Sequence, residues 1–314
     1  MMNKLLSILL ALAVPFAVAC GDDGTAPTDS GTGDGSMADT GTLPSRCTFP
    51  DEQTDPCCQR TSNADQLDAP EVRISAVQLS QPSSLSTIIV RQLLSDALDD
   101  DLFNWLITAD ITGTAANIET GFGQKSPAAV FSFTMDAAPA PGDPSRWNPV
   151  TMTGSMDGET LSAEELTETF TVPIFTEDGT TVQLELPLRN MTLNMLTFSE
   201  ERSCVGVTQP GGRWDAAQGS IQAYITVADA DAGRLFVEGA IDTTLCMFTA
   251  GMPTMDGTCA DHPQSDWLVQ PDAICDDATG CNVDPGDGTV CDPSTTCNSW
   301  LLVGGIAAQA VDIQ

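Results

Sequence analysis

The chain has 314 residues, and its 44 acidic side chains against 11 basic ones leave a formal net charge of −33 at pH 7. A charge of this size repels phosphate backbones and anionic headgroups, which excludes nucleic acids as partners. Hydrophobic residues make up 41% of the chain, enough to bury a core. Aromatic residues make up only 5%, which disfavours a surface of stacking platforms for sugars or bases.

The first twenty residues read MMNKLLSILLALAVPFAVAC. Lys4 precedes an apolar run over residues 5–19, and small residues then lead to Cys20. The run is shorter than the about 20 residues that a membrane-spanning helix needs. Its layout predicts a secretory signal peptide at residues 1–19.

The end of this segment, Ala17-Val18-Ala19-Cys20, resembles the lipobox of bacterial lipoproteins, although that pattern prefers Leu where Ala17 stands. The resemblance implies cleavage before Cys20, a diacylglycerol on its Sγ and a further acyl chain on its amine. Several acyl chains anchor a protein stably, since each buried CH2 contributes about 0.8 kcal/mol. In this family the residue after the lipidated cysteine helps to select the membrane, and Gly21, in place of Asp, implies the outer membrane. The face of that membrane on which the protein lies stays open.

Residues 20–45 are rich in Gly, Asp, Thr and Ser and contain almost no apolar side chains. Such a composition predicts a disordered acidic tether that extends by self-repulsion. The remaining residues, 46–314, are expected to form one β-rich domain with a disulfide-rich excursion at 253–298.

Eleven cysteines are present. With Cys20 assigned to lipid, the other ten form an even number, which in an exported protein predicts up to five disulfides. The ten disulfide candidates are Cys47, Cys57, Cys58, Cys204, Cys246, Cys259, Cys275, Cys281, Cys291 and Cys297.

The pairing of these cysteines is expected to be local in the C-terminal part. Proximity in sequence favours Cys259 with Cys275, and Cys281 with either Cys291 or Cys297. The N-terminal three are odd in number, so at least one of them should reach a distant partner.

Alternating apolar residues predict most of the regular structure. An Asp178-Gly179 turn between two alternating runs predicts a hairpin over 168–188, with a further strand from Met191 to Met195. Residues 300–313 are apolar on both faces, as in a central strand. Other strands are expected at 71–79, 103–111, 130–135 and 221–227.

Helical spacing is rarer. Residues 84–98 follow a Ser cap with apolar side chains at mostly helical intervals, and 228–250 is a second candidate. The fold class is therefore mainly β: an antiparallel β-sandwich or barrel with one or two short helices and a disulfide-rich C-terminal loop region. The combination of lipobox, acidic tether and cysteine-bearing β body resembles uncharacterised lipoproteins of myxobacteria, a resemblance that implies no activity.

No catalytic residue is predicted. His262 is the only histidine, it lies in the cysteine-rich excursion, and no G-x-S-x-G elbow is present. A Ser-His-Asp or Cys-His enzyme needs a histidine base beside its nucleophile, and the sequence offers no histidine outside the cysteine-rich excursion.

Calcium is the one cofactor that the residues suggest. The segment from Asp276 to Asp287 is rich in oxygen ligands and glycines, which hard cations prefer. Its spacing departs from the EF-hand pattern and no Glu closes it, so a solvated acidic loop remains the alternative. The candidate ligands are Asp276, Asp277, Asn282, Asp284 and Asp287.

Loop tryptophans are a further candidate feature, because such residues either anchor a binding partner or cap the edge of a core. Trp147, Trp214 and Trp267 lie in segments rich in Gly and Pro. Both interpretations are kept.

The expected function is that of a membrane-anchored envelope lipoprotein whose β domain is a non-enzymatic binding or structural module with a protein or polysaccharide partner. The alternatives are a calcium-dependent adhesion or carbohydrate-binding module and, after it, an envelope hydrolase.

Overall fold

A computed structural model describes most of the chain that follows the expected tether. The described residues are 63–134, 147–176, 182–199, 202–205, 219–237, 241–251, 258–276 and 280–314. All of them belong to one compact unit, Leu43–Gln314. The expected signal peptide and tether, the cysteines at 20, 47, 57 and 58, and Asp277 lie outside the described residues.

Strands dominate these residues. The strands are β1 (Glu71–Gln81), β2 (Trp105–Thr112), β3 (Ala115–Lys125), β4 (Phe131–Phe133), β5 (Val150–Asp157), β6 (Thr160–Ala163), β7 (Phe170–Phe175), β8 (Val182–Thr197), β9 (Cys204–Val205), β10 (Ser220–Thr226), β11 (Arg234–Val237), β12 (Ile241–Thr244), β13 (Ala273–Asp276), β14 (Gly280–Val283) and β15 (Ser299–Ala310). The helices are α1 (Ile88–Asp99), α2 (Val227–Ala232) and α3 (Cys246–Thr249), with 3-10 turns at Ser83–Ser86, Cys259–Asp261 and Gln264–Asp266. Within the described part of the chain, no helix is both long enough and apolar enough to span a membrane.

Eight of the strands close into a ring. Neighbours pair antiparallel in the order β1, β2, β3, β5, β6, β8, β10, β15 and back to β1. The expectation of a mainly antiparallel β fold is thus confirmed. The two expected arrangements were a sandwich and a barrel. The strand pairing is closed, as in a barrel, and strands on opposite sides of the ring face one another across one core, as the two sheets of a sandwich do. Closure gives every strand of the ring a partner on each side, so the ring has no terminal strand. Some of these pairings are short: β1 meets β2 only from Glu71 to Arg73.

The interior of the ring holds large apolar side chains. Trp105 and Phe170 are buried with their ring centroids 5.4 Å apart. The indole Nε1 of Trp105 donates to Thr120 Oγ1 at 2.7 Å, and Thr120 Oγ1 donates to the carbonyl of Leu106 at 3.0 Å. The one polar atom of this tryptophan is therefore satisfied inside the core, as burial requires.

Strand β15 is the central strand that its two apolar faces predict. It pairs with β1 and β10 in the ring and also with β9 and β13. Gly304 lies where β1 approaches closely: a Cβ there would stand 2.9 Å from a methyl carbon of Leu79. The glycine is thus required by the packing of β1 against β15.

Strand β8 differs from the expectation. The predicted hairpin is present, since β7 pairs with β8 from Phe170↔Leu188 to Phe175↔Val182. The expected separate strand at 191–195 is instead the second half of the same strand. A bulge permits this continuity: β8 has four residues from Arg189 to Thr192 where β10 has three, and Asn190 adopts φ 48°. The bend lets β8 leave β7 and β11 and pair onward with β6 and β10.

Helix α1 confirms the helix expected at 84–98, with a later start. Its N-cap is Thr87, whose Oγ1 accepts a hydrogen bond from the N–H of Val90, and Ser84 lies in the preceding 3-10 turn. Val90, Leu94 and Leu98 are buried, at the spacing of one helix face.

The prediction of one second helix over 228–250 is wrong. This segment forms α2, the hairpin β11–β12 and α3. Gly233 ends α2, and the β-branched residues Ile241, Thr243 and Thr244 favour a strand over a helix.

Candidate functional site

The disulfides of the C-terminal part differ from the expected local pairs. They are Cys246–Cys259, Cys275–Cys281 and Cys291–Cys297. Both predicted pairings are therefore wrong: Cys259 does not bond to Cys275, and Cys281 bonds to neither Cys291 nor Cys297. The reason is the β13–β14 hairpin, whose register sets Cys275 directly opposite Cys281. Cross-strand neighbours have their Cβ atoms close enough for a disulfide.

Cys204, on β9, is disulfide-bonded as well. The six other described cysteines bond to one another, so the partner of Cys204 lies outside the described residues. The expectation that an N-terminal cysteine reaches a distant partner stays a prediction. Every described cysteine is oxidised, the state found in exported proteins.

A polar cavity of about 470 Å³ lies beside the bulge of β8. This volume is in the range of small-molecule sites. Three segments build its wall: the connection from β6 to β7, the bulge, and the hairpin β13–β14. Its lining residues are Glu165, Thr167, Glu168, Thr169, Arg189, Asn190, Cys275, Asp276, Gly280 and Cys281.

The cavity carries a negative charge. Glu165, Glu168 and Asp276 contribute three carboxylates, and Arg189 is the one basic residue among the described residues of the lining. Arg189 is held in a two-point ion pair by Asp229, with Nε–Oδ2 at 2.6 Å and Nη2–Oδ1 at 3.2 Å. This pairing offsets the arginine charge, so the three carboxylates dominate the potential in the cavity.

Asp229 is itself fixed by the start of α2. Its carboxylate Oδ2 accepts a hydrogen bond from Thr226 Oγ1 at 2.6 Å, and its backbone N–H donates to Thr226 Oγ1 at 3.0 Å. A carboxylate in the first turn of a helix is also favoured by the helix dipole. The ion pair with Arg189 therefore has a rigid acidic partner.

Two titratable groups, Tyr224 and Asp272, have pKa values raised chiefly by burial. Burial raises the pKa of the Tyr224 hydroxyl, and the carboxylates of Glu165 and Asp272 raise it further, against a hydrogen bond from Gln222. Burial also raises the pKa of Asp272. Both shifts favour the neutral form of the group concerned.

Asn190 joins the walls of the cavity. Its Nδ2 donates to Glu165 Oε1, and its Oδ1 lies 3.3 Å from the Sγ of Cys281, which carries no proton in the disulfide. Gly280, at φ 77°, lies so close that a Cβ would stand 3.1 Å from Asn190 Nδ2. The bulge thus places one side chain between the β6–β7 connection and the hairpin.

The described bonds that attach the hairpin β13–β14 to β15 lie at the base of the hairpin. β13 pairs with β15 at Ala273↔Ser299, and two backbone bonds lie beside this pair: Asn298 N–H donates to Ala273 O at 3.0 Å and Asp272 N–H donates to Ser299 O at 3.1 Å. Asn298 adds two hydrogen bonds to Cys275: its Oδ1 accepts from the backbone N–H at 2.8 Å, and its Nδ2 donates to the carbonyl at 2.9 Å. The position of the cavity wall therefore depends on Asn298 and on the integrity of the hairpin.

The described calcium candidates have different surroundings. Asp276 is exposed and lines the cavity, and Asn282 is exposed on β14. Asp287 accepts a hydrogen bond from the N–H of Thr289 at 3.0 Å. Among the described residues, the one group of three His, Cys, Asp or Glu ligand atoms lying within 4.8 Å of one another is Asp231 with the disulfide-bonded Cys246 and Cys259. The calcium assignment stays a prediction.

Asp284 organises the loop that follows β14. Its Oδ1 accepts from the N–H groups of Gly286 at 2.7 Å and Gly288 at 3.1 Å. Its Oδ2 accepts from Val290 at 2.8 Å and Cys291 at 3.2 Å. These four donors, that of Val290 foremost, lower the pKa of Asp284 to about 2. Both carboxylate oxygens are thus engaged by the loop's own backbone.

The loop tryptophans pack against core aromatics. The ring of Trp147 lies 5.6 Å from that of Phe175, and its Nε1 donates to Glu185 at 3.0 Å. Trp267 is buried and stacks on Trp300 at 5.5 Å. These two therefore cap the edge of the core, while Trp214 lies outside the described residues.

A scan against protein-family models finds no match to this chain, and neither a search of curated proteins nor one of solved structures finds a similar protein. Of the acidic and amide side chains in the lining of the cavity, the sequence pointed to Asp276 alone, as a candidate calcium ligand, and Glu165, Glu168 and Asn190 were not predicted as site residues. One signal was present: Asn190 interrupts the alternation of β8, and Asn is a residue that tolerates positive φ.

Proposed function

We propose that this protein is an exported lipoprotein, anchored through Cys20 to the outer membrane of a bacterial envelope, that acts as a non-enzymatic binding module. Its ligand site is the acidic cavity beside the β8 bulge, and its ligand is a linear organic polycation such as a polyamine. The anchor rests on the lipobox resemblance, and full oxidation of the described cysteines is in keeping with export.

The observation that carries the ligand assignment is the spacing of charge in the cavity. Glu165, Glu168 and Asp276 line one space of about 470 Å³, yet they do not bring three carboxylate oxygens within 4.8 Å of one another. A single metal ion needs convergent oxygens at short range. A chain of separated ammonium groups matches separated carboxylates, and Thr167 and Thr169 add oxygens that can accept its hydrogens.

Calorimetric titration of the full mature chain with spermine tests this site. Glu165→Gln/Glu168→Gln should weaken binding about tenfold, because each exposed charge pair contributes up to about 1 kcal/mol. Glutamine keeps an acceptor for Asn190, so the wall should persist. Asp110→Asn/Asp157→Asn makes the same charge change on exposed strand positions away from the cavity and is the matched control. Equal losses in both variants would show general attraction to an acidic protein and would reject the site.

The anchor is tested separately in cells. Labelled palmitate should enter the wild-type protein and be absent from Cys20→Ser, and wild type should partition into the detergent phase. An unlabelled wild-type protein in the aqueous phase would reject lipidation and leave the cavity unaffected.

Calcium remains a second candidate because Asp276 belongs both to the predicted ligand set and to the cavity. A ligand that binds only the folded state at a hundredfold excess over Kd stabilises it by about 2.7 kcal/mol. Thermal unfolding in millimolar calcium and in chelator should then differ by several degrees, and Asp276→Asn should abolish the difference. Identical curves would remove calcium from consideration.

A further inference from the structure

We propose that the Cys275–Cys281 disulfide is a redox-controlled latch on the acidic cavity: a dithiol reduces it in the folded protein, which frees the hairpin β13–β14 and opens the cavity wall. The control of ligand binding rests on the proposed function. The selective reduction and the release of the hairpin do not.

Accessibility distinguishes this disulfide from the other described pairs. Thiol–disulfide exchange needs a thiolate to reach a sulfur atom. Both cysteines of the latch are half-buried and line the cavity. The remaining pairs are enclosed, with exposed fractions of 0% for Cys246 and Cys259 and at most 4% for Cys291 and Cys297.

The surroundings also distinguish the two sulfurs of the latch. Asn190 Oδ1 covers the Sγ of Cys281 at 3.3 Å, which leaves Cys275 as the sulfur open to attack. Cys281 is then the leaving group, and after protonation its thiol can donate to the same Asn190 oxygen. Asn190 therefore favours the reduced state of Cys281 without hindering attack on Cys275.

A dithiol thiolate attacks Sγ of Cys275, the bond between the two cysteine sulfurs breaks, and Cys281 leaves as a thiolate that takes a proton from water. The second thiol of the reagent, deprotonated, attacks the mixed disulfide and expels Cys275, which is protonated in turn. The cystine gains two electrons and two protons, and the dithiol becomes a cyclic disulfide.

Reduction should loosen the outer part of the hairpin, because the described hydrogen bonds that join it to β15 lie at its base, residues 272–275. These are the Ala273↔Ser299 pair, the bonds from Asp272 N–H to Ser299 O and from Asn298 N–H to Ala273 O, and the two bonds between Asn298 and Cys275. The hairpin is also short, with four residues in each strand. Short two-stranded hairpins are marginal without a cross-link or a packed face.

The experiment uses the full mature chain with three readouts. Brief treatment with dithiothreitol, alkylation and mass spectrometry should label Cys275 and Cys281 at least tenfold faster than the buried pairs, which are internal controls. Hydrogen exchange at residues 273–276 and 280–283 should rise at least tenfold after this reduction. Spermine affinity should fall at least tenfold. Cys275→Ser/Cys281→Ser should mimic the reduced protein and not respond to dithiothreitol.

The outcomes separate the two proposals. Labelling of the buried pairs first, or unchanged hydrogen exchange in the reduced protein, overturns the latch whether or not spermine binds. Faster exchange with unchanged spermine affinity overturns the control of binding and leaves the ligand site standing. A wild-type protein that opens on reduction but never binds spermine supports the latch and overturns the proposed function.

Discussion

The buried disulfide Cys246–Cys259 offers a test of how this fold is stabilised. Both cysteines are fully buried, and 13 positions separate them. Replacing both with Ala removes the cross-link with little change in buried polarity. The loop-closure relation gives about 3 kcal/mol of lost stability for such a loop, and about 2 kcal/mol for the six-residue separation of Cys291–Cys297.

The folded state should tolerate this change. The carboxylate of Asp231 accepts hydrogen bonds from the N–H groups of Cys259 and Ala260, the latter at 3.3 Å, and these bonds do not depend on the sulfur. The cost should therefore arise mainly in the unfolded chain, which becomes more expanded.

The assay is unfolding in urea of wild type, Cys246→Ala/Cys259→Ala and Cys291→Ala/Cys297→Ala, with near-UV circular dichroism of each. The first variant should lose about 3 kcal/mol, equivalent to about 6–12 °C in Tm, with a native spectrum and an increased m-value. Equal losses in both variants, or a changed native spectrum in the first, would refute the argument from loop closure.

Three further predictions concern single residues. The pKa of Asp284 is lowered from 3.8 to about 2, so its ionised carboxylate stabilises the fold above pH 3.8, and this stabilisation is lost as the pH falls through 2. Asp284→Asn should flatten this part of the acid-unfolding curve. An unchanged curve would contradict the hydrogen bonds of its loop. Burial raises the pKa of Asp272, so the stability of the fold should fall as the pH rises from 3.8 through the folded-state pKa. Asp272→Asn keeps an acceptor for the N–H of Leu301 and should remove that fall, as measured by thermal unfolding between pH 3 and 7. At the positive φ of Asn190, Asn190→Val should cost about 1–2 kcal/mol more than Asn190→Gly in urea unfolding, and equal costs would argue against a bulge there.

Local pattern was sufficient for several elements. Alternation within single segments predicted β1, β2, the β7–β8 hairpin and the central position of β15, because side-chain period and turn residues act over a few neighbours. The strands β3, β5 and β6 were missed. In β3 and β5 the alternation is interrupted by glycines, at 121, 123 and 154, where close packing leaves no room for a side chain. β6 has only four residues, too few for a clear pattern.

Sequence alone determined the acidic composition, the predicted export signal with its lipobox, and the mainly antiparallel β class, since each follows from composition or short-range order. Tertiary structure decided the rest. The bulge at Asn190 made β8 one strand, strand register set Cys275 opposite Cys281, and the return of β15 beside β1 closed the ring. The cavity needed all three, because Glu165, Arg189 and Asp276 are far apart in sequence and meet only when distant strands have found their register.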